Sequence, residues 1–230
     1  MKPRVSVSGA RAAYIGPGLA LAPHTNAAAT VALALGAPFT LALRGAAPEA
    51  RAAALIPPNT PHHLVPAGGM VWLYLDALSD DHRALRDRDL AAPTDPAALA
   101  DVDALCAALG VPQRPPPDPR VAAAVRALDA RPRDLPTIAD AARVAGLSPS
   151  RLQALFTPAV GVPFRRYRLW RRLASALRAA SEGATLTDAA YASGFASSAH
   201  LSATFRGQFG LSPSVFLATG VTFDWGAAPA

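Results

Sequence analysis

Two short stretches in the second half of the chain carry polar side chains that could bond to the edges of nucleic-acid bases. They are Ser150, Arg151 and Gln153 in the first stretch, and Ser198, His200 and Ser202 in the second. Hydroxyl, guanidinium, amide and imidazole groups can donate to or accept from base edges in a DNA major groove. On helices, these residues would lie on two outward faces that could read base pairs.

The two stretches belong to an internal repeat. Residues 138–146 (IADAARVAG) align with residues 186–194 (LTDAAYASG) at an offset of 48, with Asp, two Ala and Gly at matching positions. After one extra residue, Phe195, the offset is 49, and the match continues through a serine, a leucine, a phenylalanine and a glycine. A repeat of this length indicates one supersecondary unit used twice.

Each copy has the residue order of a helix-turn-helix unit. A small residue, Ala142 or Ala190, lets two helices cross closely, and the glycine four residues later can end the first helix in a left-handed conformation. The next serine, Ser148 or Ser197, can cap the second helix by accepting from its free amides. An αα-hairpin packed only for structure is the alternative, but two copies in register favour DNA recognition.

A long amphipathic helix is predicted between the two copies. Apolar residues from Phe164 to Leu177 recur at helical spacing. The other positions include five arginines within eight residues, and this stretch contains no acid: Arg165, Arg166, Arg168, Arg171 and Arg172. A solvated face is one interpretation. The favoured interpretation is that Arg165, Arg166 and Arg168 contact DNA phosphates. For Arg172, a structural role is the alternative interpretation.

The charge of the chain is concentrated in this half. Residues 118–230 hold thirteen arginines and seven acidic residues, which accounts for the whole net charge of +6, whereas residues 1–117 are neutral. Such asymmetry indicates a polyanionic partner, here double-stranded DNA. No apolar run is long enough to span a membrane, so a cytoplasmic protein without a membrane partner is expected. The single cysteine, Cys106, excludes an intramolecular disulfide.

The first ninety residues are predicted to be mainly β-structure. Five short apolar segments, bounded by Gly, Pro or Asn, cover residues 30–34, 39–43, 52–56, 62–65 and 70–76. Residues 79–88 and 95–109 are predicted to be helical, and the proline-rich segment 111–119 to be an extended linker. The predicted domains are a β sensor domain at 1–90, a helical dimerisation and linker segment at 91–117, and a DNA-binding domain at 118–230.

The second half resembles the AraC/XylS family of bacterial transcription regulators. The resemblance covers residues 118–216 and depends on the paired units, the linking helix with Arg172, Leu173 and Ala176, and a motif in the second unit. That motif is Gly194, Phe195, Ser202, Phe205, Arg206, Phe209, Gly210, Leu211, Ser212, Pro213 and Phe216. The resemblance implies a regulator that binds DNA, with Ser148, Ser197 and Arg206 as further phosphate contacts, and RNA polymerase as a partner if it activates.

This chain departs from the family at two kinds of position. Family members often carry a basic residue where Ala154 and Ala203 stand, so shape and phosphate contacts are expected to contribute more than usual to recognition. Pro158 is expected to end the first recognition helix near Thr157.

The first half contains the segments 16–18 (GPG), 23–24 (PH), 56–62 (IPPNTPH) and 73–76 (LYLD). With these segments, the stretch from Tyr14 to Leu78 resembles the cupin-type barrel that precedes many such regulators. The resemblance implies a small-molecule effector in the barrel, with His24, His62, Trp72 and Tyr74 as candidate pocket residues. Because His62 and His63 are adjacent on a strand, only one of them can point inward. No metal site, cofactor or catalytic residue is predicted, although a cupin-type metal-dependent enzyme whose basic half binds proteins is the alternative function.

The sequence therefore predicts an α+β protein of two domains. A small cupin-like β-barrel precedes an all-α domain, in which a long helix joins two helix-turn-helix units. The expected function is transcription regulation by a homodimer that responds to an effector and is not an enzyme.

Overall fold

The computed structural model describes residues 1–113 and 117–225. Their contacts form two compact units: residues 1–112 with 203–225, and residues 113–202. The domain boundaries at 90 and 117 stay predictions, and the grouping of 203–225 with the first half is a feature that the sequence did not indicate. Arg114, Pro115 and Pro116 of the predicted linker lie outside the described residues, as do residues 226–230.

The strands of the first unit form two sheets. They are β1 (Arg4–Ser8), β2 (Arg11–Pro17), β3 (Ala29–Leu35), β4 (Phe39–Leu43), β5 (Glu49–Arg51), β6 (Ala53–Ile56), β7 (His62–Val65), β8 (Gly69–Leu75) and β9 (Thr222–Asp224). One sheet has the order β6-β3-β8-β2-β1-β9 and the other the order β5-β4-β7. The five predicted strand segments correspond to β3, β4, β6, β7 and β8, which confirms the sheet-rich N-terminal region.

The central strands β3 and β8 are buried along nearly their whole length. An antiparallel strand with one solvent-exposed face would alternate between apolar and polar residues. The sequence of β8, Gly-Met-Val-Trp-Leu-Tyr-Leu, shows no such alternation. One face, with Val71, Leu73 and Leu75, packs against the helical segment that follows β8. The other face carries Trp72 and Tyr74, so both faces of the sheet are covered.

The helical segment that follows β8 is more broken than predicted. It contains α1 (Asp80–Ala84), a 3-10 helix (Pro96–Leu99) and α2 (Val102–Ala108). The expectation of one helix over 95–109 was wrong because Asp101 adopts an extended conformation and caps a new helix, accepting from the Ala104 amide at 2.8 Å. The helix predicted over 79–88 is only five residues long.

Residues 203–225 cover the face of the sheet that carries Trp72 and Tyr74. Tyr74 meets Phe209 edge to face with ring centroids 5.0 Å apart, and Tyr14 lies 6.3 Å from Phe216. The prediction of an all-α C-terminal half was wrong at β9, which pairs in parallel with β1. An edge strand leaves backbone groups unpaired, and β9 satisfies those of β1.

The second unit contains α3 (Pro119–Ala130), α4 (Ile138–Ala145), α5 (Pro149–Val160), α6 (Phe164–Ser181) and α7 (Leu186–Ala192). Helix α8 (Ser198–Phe209) begins in this unit and ends in the first one, which also contains α9 (Pro213–Leu217). The α+β class, with a sheet-rich N-terminal region and a helical C-terminal region, is confirmed. None of the described helices combines the length and apolar character needed to cross a membrane.

The expected end of α5 near Thr157 was wrong. Pro158 lies in the last turn, where its missing amide removes one intrahelical hydrogen bond without preventing one more turn. Gly161 ends the helix instead, with φ of 83° and its amide donating to the Thr157 carbonyl at 2.7 Å.

A buried ion pair joins β2 to α1. The Arg11 guanidinium donates to both carboxylate oxygens of Asp81, through Nε at 2.9 Å and Nη2 at 3.1 Å. A third residue, Asp103, lies 3.6 Å from Arg11. Burial alone would lower the pKa of Arg11, but the hydrogen bond and charge of Asp81 outweigh it and the net shift is upward.

Asp81→Asn should lower the free energy of unfolding by about 3 kcal/mol, because it leaves a buried guanidinium without its main counter-charge. Asp80→Asn is the matched control on the same helix: Asp80 pairs with Arg83 at an exposed site, and its loss should cost less than about 1 kcal/mol. Urea unfolding of both variants measures the difference. Equal losses would show that the Arg11–Asp81 pair does not stabilise the fold.

Candidate nucleic-acid interface

The first helix-turn-helix unit consists of α4 and α5. Thr137 and Asp140 form a capping box at the start of α4, where the Asp140 amide donates to the Thr137 hydroxyl at 3.2 Å. Gly146 ends α4 with φ of 62°, and the Leu147 amide donates to the Ala142 carbonyl at 3.0 Å. This six-to-one hydrogen bond is the Schellman arrangement, which reverses the chain tightly.

The second helix-turn-helix unit, which consists of α7 and α8, repeats these interactions. The Asp188 amide donates to the Thr185 hydroxyl at 3.1 Å. Gly194 has φ of 78°, and the Phe195 amide donates to the Ala190 carbonyl at 2.8 Å. The aspartate and glycine shared by the two copies of the sequence repeat therefore have structural roles at the two ends of the first helix.

The residues predicted to pack the two helices of each helix-turn-helix unit together are buried as expected. They are Ala142, Leu152 and Phe156 in the first unit and Ala190, Leu201 and Phe205 in the second, each at most 2% exposed. One side of each recognition helix is fixed in this way, and Arg151 and Gln153 of α5 and His200 of α8 lie exposed on the remaining surface.

The residues predicted to contact base edges differ in their exposure and in their hydrogen bonds within the protein. Arg151 and Gln153 are exposed on α5. Ser150 shares a hydrogen bond with the Ser148 hydroxyl at 3.2 Å, and Ser198 accepts one from Thr187 at 3.4 Å. His200 is exposed and Ser202 half-buried on α8. The role of each in reading bases stays a prediction.

The candidates for phosphate contact divide by their surroundings. Ser148 and Ser197 cap α5 and α8, accepting from the amides of Arg151 at 3.2 Å and His200 at 3.1 Å. Arg165 and Arg206 are exposed, whereas Arg166 and Arg168 are half-buried. Burial lowers the pKa of Arg168, and Asp140 opposes that shift. Among the arginines predicted to contact phosphates, Arg165 and Arg206 are thus the exposed ones.

Two further arginines of α6 bind within the protein. Arg171 Nε lies 2.8 Å from a carboxylate oxygen of Asp129 on α3, and that oxygen also accepts from the Tyr167 hydroxyl at 2.8 Å. Burial raises the pKa of Asp129, while Arg171 and Tyr167 oppose the shift. The interpretation of five arginines without an acidic partner was therefore wrong for Arg171, because its partner lies on another helix.

Arg172 contacts the turn of the second unit. Its Nε donates to the Ser193 carbonyl at 3.0 Å, its Nη2 donates to the Gly194 carbonyl, and its guanidinium lies 4.1 Å from the ring centre of Phe195. The structural alternative considered for Arg172 is the one that these contacts support.

The residues predicted to line an effector pocket lie in the first compact unit, on and near the strands. Trp72 and Tyr74 are 5% and 8% exposed, and Trp72 stacks on Tyr14 with ring centroids 5.0 Å apart. His24 and His62 lie 4.4 Å apart by ring centroid, and Nδ1 of each donates to a backbone carbonyl. Burial lowers the pKa of His62, the inward member of the adjacent histidine pair.

The structure therefore gathers the pocket candidates into two pairs: Trp72 and Tyr74 among aromatic rings, and His24 beside His62. Within residues 1–113 and 117–225, no group of three or more His, Cys, Asp or Glu side chains could hold a metal ion.

Gly146→Ala should lower the free energy of unfolding by about 1 kcal/mol, because an L-residue is strained at positive φ. A side-chain carbon at Gly146 would meet no atom within 4 Å, so the loss would report conformation alone. Gly207→Ala, in open space inside α8, is the matched control and should raise stability by about 0.5–1 kcal/mol. Urea denaturation of both variants tests this, and a loss of stability at both positions would contradict it.

Comparison with known proteins identifies the helical region. A family model described as a helix-turn-helix domain matches residues 141–219. ToxT from Vibrio cholerae O395 is 12% identical over 92% of this chain and 98% of that chain, with a TM-score of 0.51, which shows a shared fold. No curated protein sequence matches.

Two further solved structures each match less than half of this chain. A transcriptional regulator of the AraC-type DNA-binding class from Chromobacterium violaceum is 28% identical over 44% of this chain and 90% of that chain, with a TM-score of 0.40. The DNA-binding domain of AdpA, solved with a target DNA, is 22% identical over 43% and 90%, also with a TM-score of 0.40. Residues 141–219 are therefore similar to a helix-turn-helix domain, in agreement with the two helix-turn-helix units that the sequence repeat predicts.

Proposed function

We propose that this protein regulates transcription by binding double-stranded DNA through both helix-turn-helix units. The observation that carries this proposal is the duplicated turn: each unit fixes one side of a recognition helix and leaves polar residues on the other. An arginine-rich helix lies between the two units. Base-edge contacts would come from α5 and α8, and phosphate contacts from Arg165 and Arg206.

The proposed binding mode places α5 and α8 in successive major grooves on one side of the duplex, about 34 Å apart. One chain would then recognise a non-palindromic site of about two turns. Selection from random DNA should return such a motif, with affinity that falls as salt rises. Selection without any enriched motif, together with binding insensitive to salt, would contradict DNA recognition.

The exposed side chains Gln153 and Arg165 should have different roles. Gln153→Ala should relax preference at one or two base pairs, at a cost of about 1–3 kcal/mol, because an amide can read a base edge. Arg165→Ala should weaken binding to all sequences alike and reduce the salt slope by about one.

Quantitative binding of both variants to the selected site and to single-base variants separates these roles. Arg178→Ala is a matched control, since Arg178 is an exposed arginine near the other end of α6. If Gln153→Ala and Arg165→Ala gave the same profile across sequences, the assignment of roles would be wrong.

We also propose that a small-molecule effector acts through residues 203–225. Phe209 and Phe216 pack on the sheet face that carries Tyr14, Trp72 and Tyr74, and the backbone of Ala27 donates to the Gly207 carbonyl at 2.7 Å. A ligand that enters this face must therefore contact or displace the segment that contains the second half of α8. Its binding would change how α8 is held.

A compound that raises the melting temperature of the full chain in a concentration-dependent way should also change the affinity for DNA. Phe209→Leu removes the ring that meets Tyr74 and should alter that change in affinity more than Val215→Ala, an exposed position on α9. Thermal-shift screening followed by DNA titration measures both effects. A stabilising compound that leaves DNA affinity unchanged would contradict the coupling.

A homodimer supported by residues 91–117 remains part of the proposal. Val102, Leu105 and Leu109 are buried against the sheet of their own chain, so a second copy would meet the opposite side of α2. That side exposes Asp103, Ala107 and Ala108. Light scattering of the full chain measures the oligomeric state directly.

A further inference from the structure

The side chain of Arg172 joins α6 to the turn of the second helix-turn-helix unit. Two of its nitrogens donate to successive backbone carbonyls, those of Ser193 and Gly194, and its guanidinium stacks on Phe195. Next to these contacts, the Ser193 hydroxyl donates to the Ser175 hydroxyl of α6 at 3.1 Å. Residues 193–195, the first part of the turn between α7 and α8, are thus attached to one face of α6.

The chemistry of this contact favours arginine. The last carbonyls of a helix have no intrahelical donor and carry the negative end of the helix dipole, so a cation there is stabilising. A planar guanidinium can serve two carbonyls and cover an aromatic ring at the same time, which a lysine ammonium cannot do. Arg172 is half-buried, and this burial lowers the pKa of its guanidinium.

In the first helix-turn-helix unit, the repeat position that corresponds to Arg172 is not an arginine. At the 48-residue offset of the repeat, Arg172 corresponds to Ala124 of α3, which is fully buried. A methyl group at this position offers no hydrogen-bond donor, whereas the turn of the second helix-turn-helix unit is held by the directional hydrogen bonds of Arg172. Directional bonds fix an orientation more closely than apolar contact does.

We propose that Arg172 is a positioning residue that sets the orientation of the start of α8 relative to α6, and so the spacing of the two DNA segments that one chain accepts. This inference rests on the proposed DNA-binding function. Arg172 need not touch DNA to act in this way. Its loss should leave the contacts inside each unit intact while allowing the second unit to adopt other orientations.

Binding to DNA sites of altered spacing tests this role. The probes are the selected site and versions with one or two base pairs inserted or removed between its two recognised segments, each base pair adding about 3.4 Å and a tenth of a turn. The wild-type chain should lose about ten-fold or more in affinity on such changes. Arg172→Lys should bind the original site more weakly and lose no more than about three-fold on the altered sites.

Arg165→Ala is the matched control on the same helix. It removes a predicted phosphate contact, so it should weaken binding at every spacing by the same factor and keep the wild-type preference. Phe195→Leu, which keeps apolar bulk but removes the ring face under Arg172, should relax spacing as Arg172→Lys does. It also carries the comparison if Arg172→Lys does not fold, as judged by circular dichroism.

The outcomes separate this inference from the function on which it rests. A wild-type chain that binds no DNA would overturn both. A wild-type chain that binds DNA equally well at all spacings would leave the proposed function standing and overturn the positioning role. The same conclusion would follow if the folded Arg172 and Phe195 variants kept the full wild-type spacing penalty.

Discussion

The left-handed glycine at the end of α4 and of α7 is the constraint on which the rest of the helical region depends. With φ of 62° and 78°, Gly146 and Gly194 reverse the chain within one residue and bring the next helix across the first. This crossing requires alanine at the contact, buries the leucine and phenylalanine of the second helix, and turns the remaining side of that helix outward. The recognition faces are consequences of the turn, and not separate features of the sequence.

Much of this helical region could be predicted because its signals are local. Caps, glycines and apolar pairs lie within one unit, and their repetition identifies it. Three features had no local signal. Asp129 pairs with Arg171 from another helix, Phe209 and Phe216 pack on a sheet far away in sequence, and β9 joins β1 across almost the entire chain. Pro158 was misjudged because its effect depends on how many helical turns remain, which Gly161 decides.

The arginines of α6 show how composition alone misleads about function. All five look alike in the sequence, yet Arg171 pairs with a buried carboxylate and Arg172 holds the turn of the second unit. Arg165 is left exposed toward solvent. A basic helix here serves both to assemble the domain and, in the proposed function, to meet the DNA backbone. Within the first compact unit, the aromatic face of the sheet packs on Phe209 at the end of α8.

Hydroxyl-radical footprinting of the full chain on its selected DNA site tests the central claim most directly. Two helix-turn-helix units on one chain should protect two patches on one side of the duplex, about one helical turn apart, with a different base sequence in each. Mirror-image patches in a palindromic site, or a single protected patch, would contradict recognition by both units of one chain.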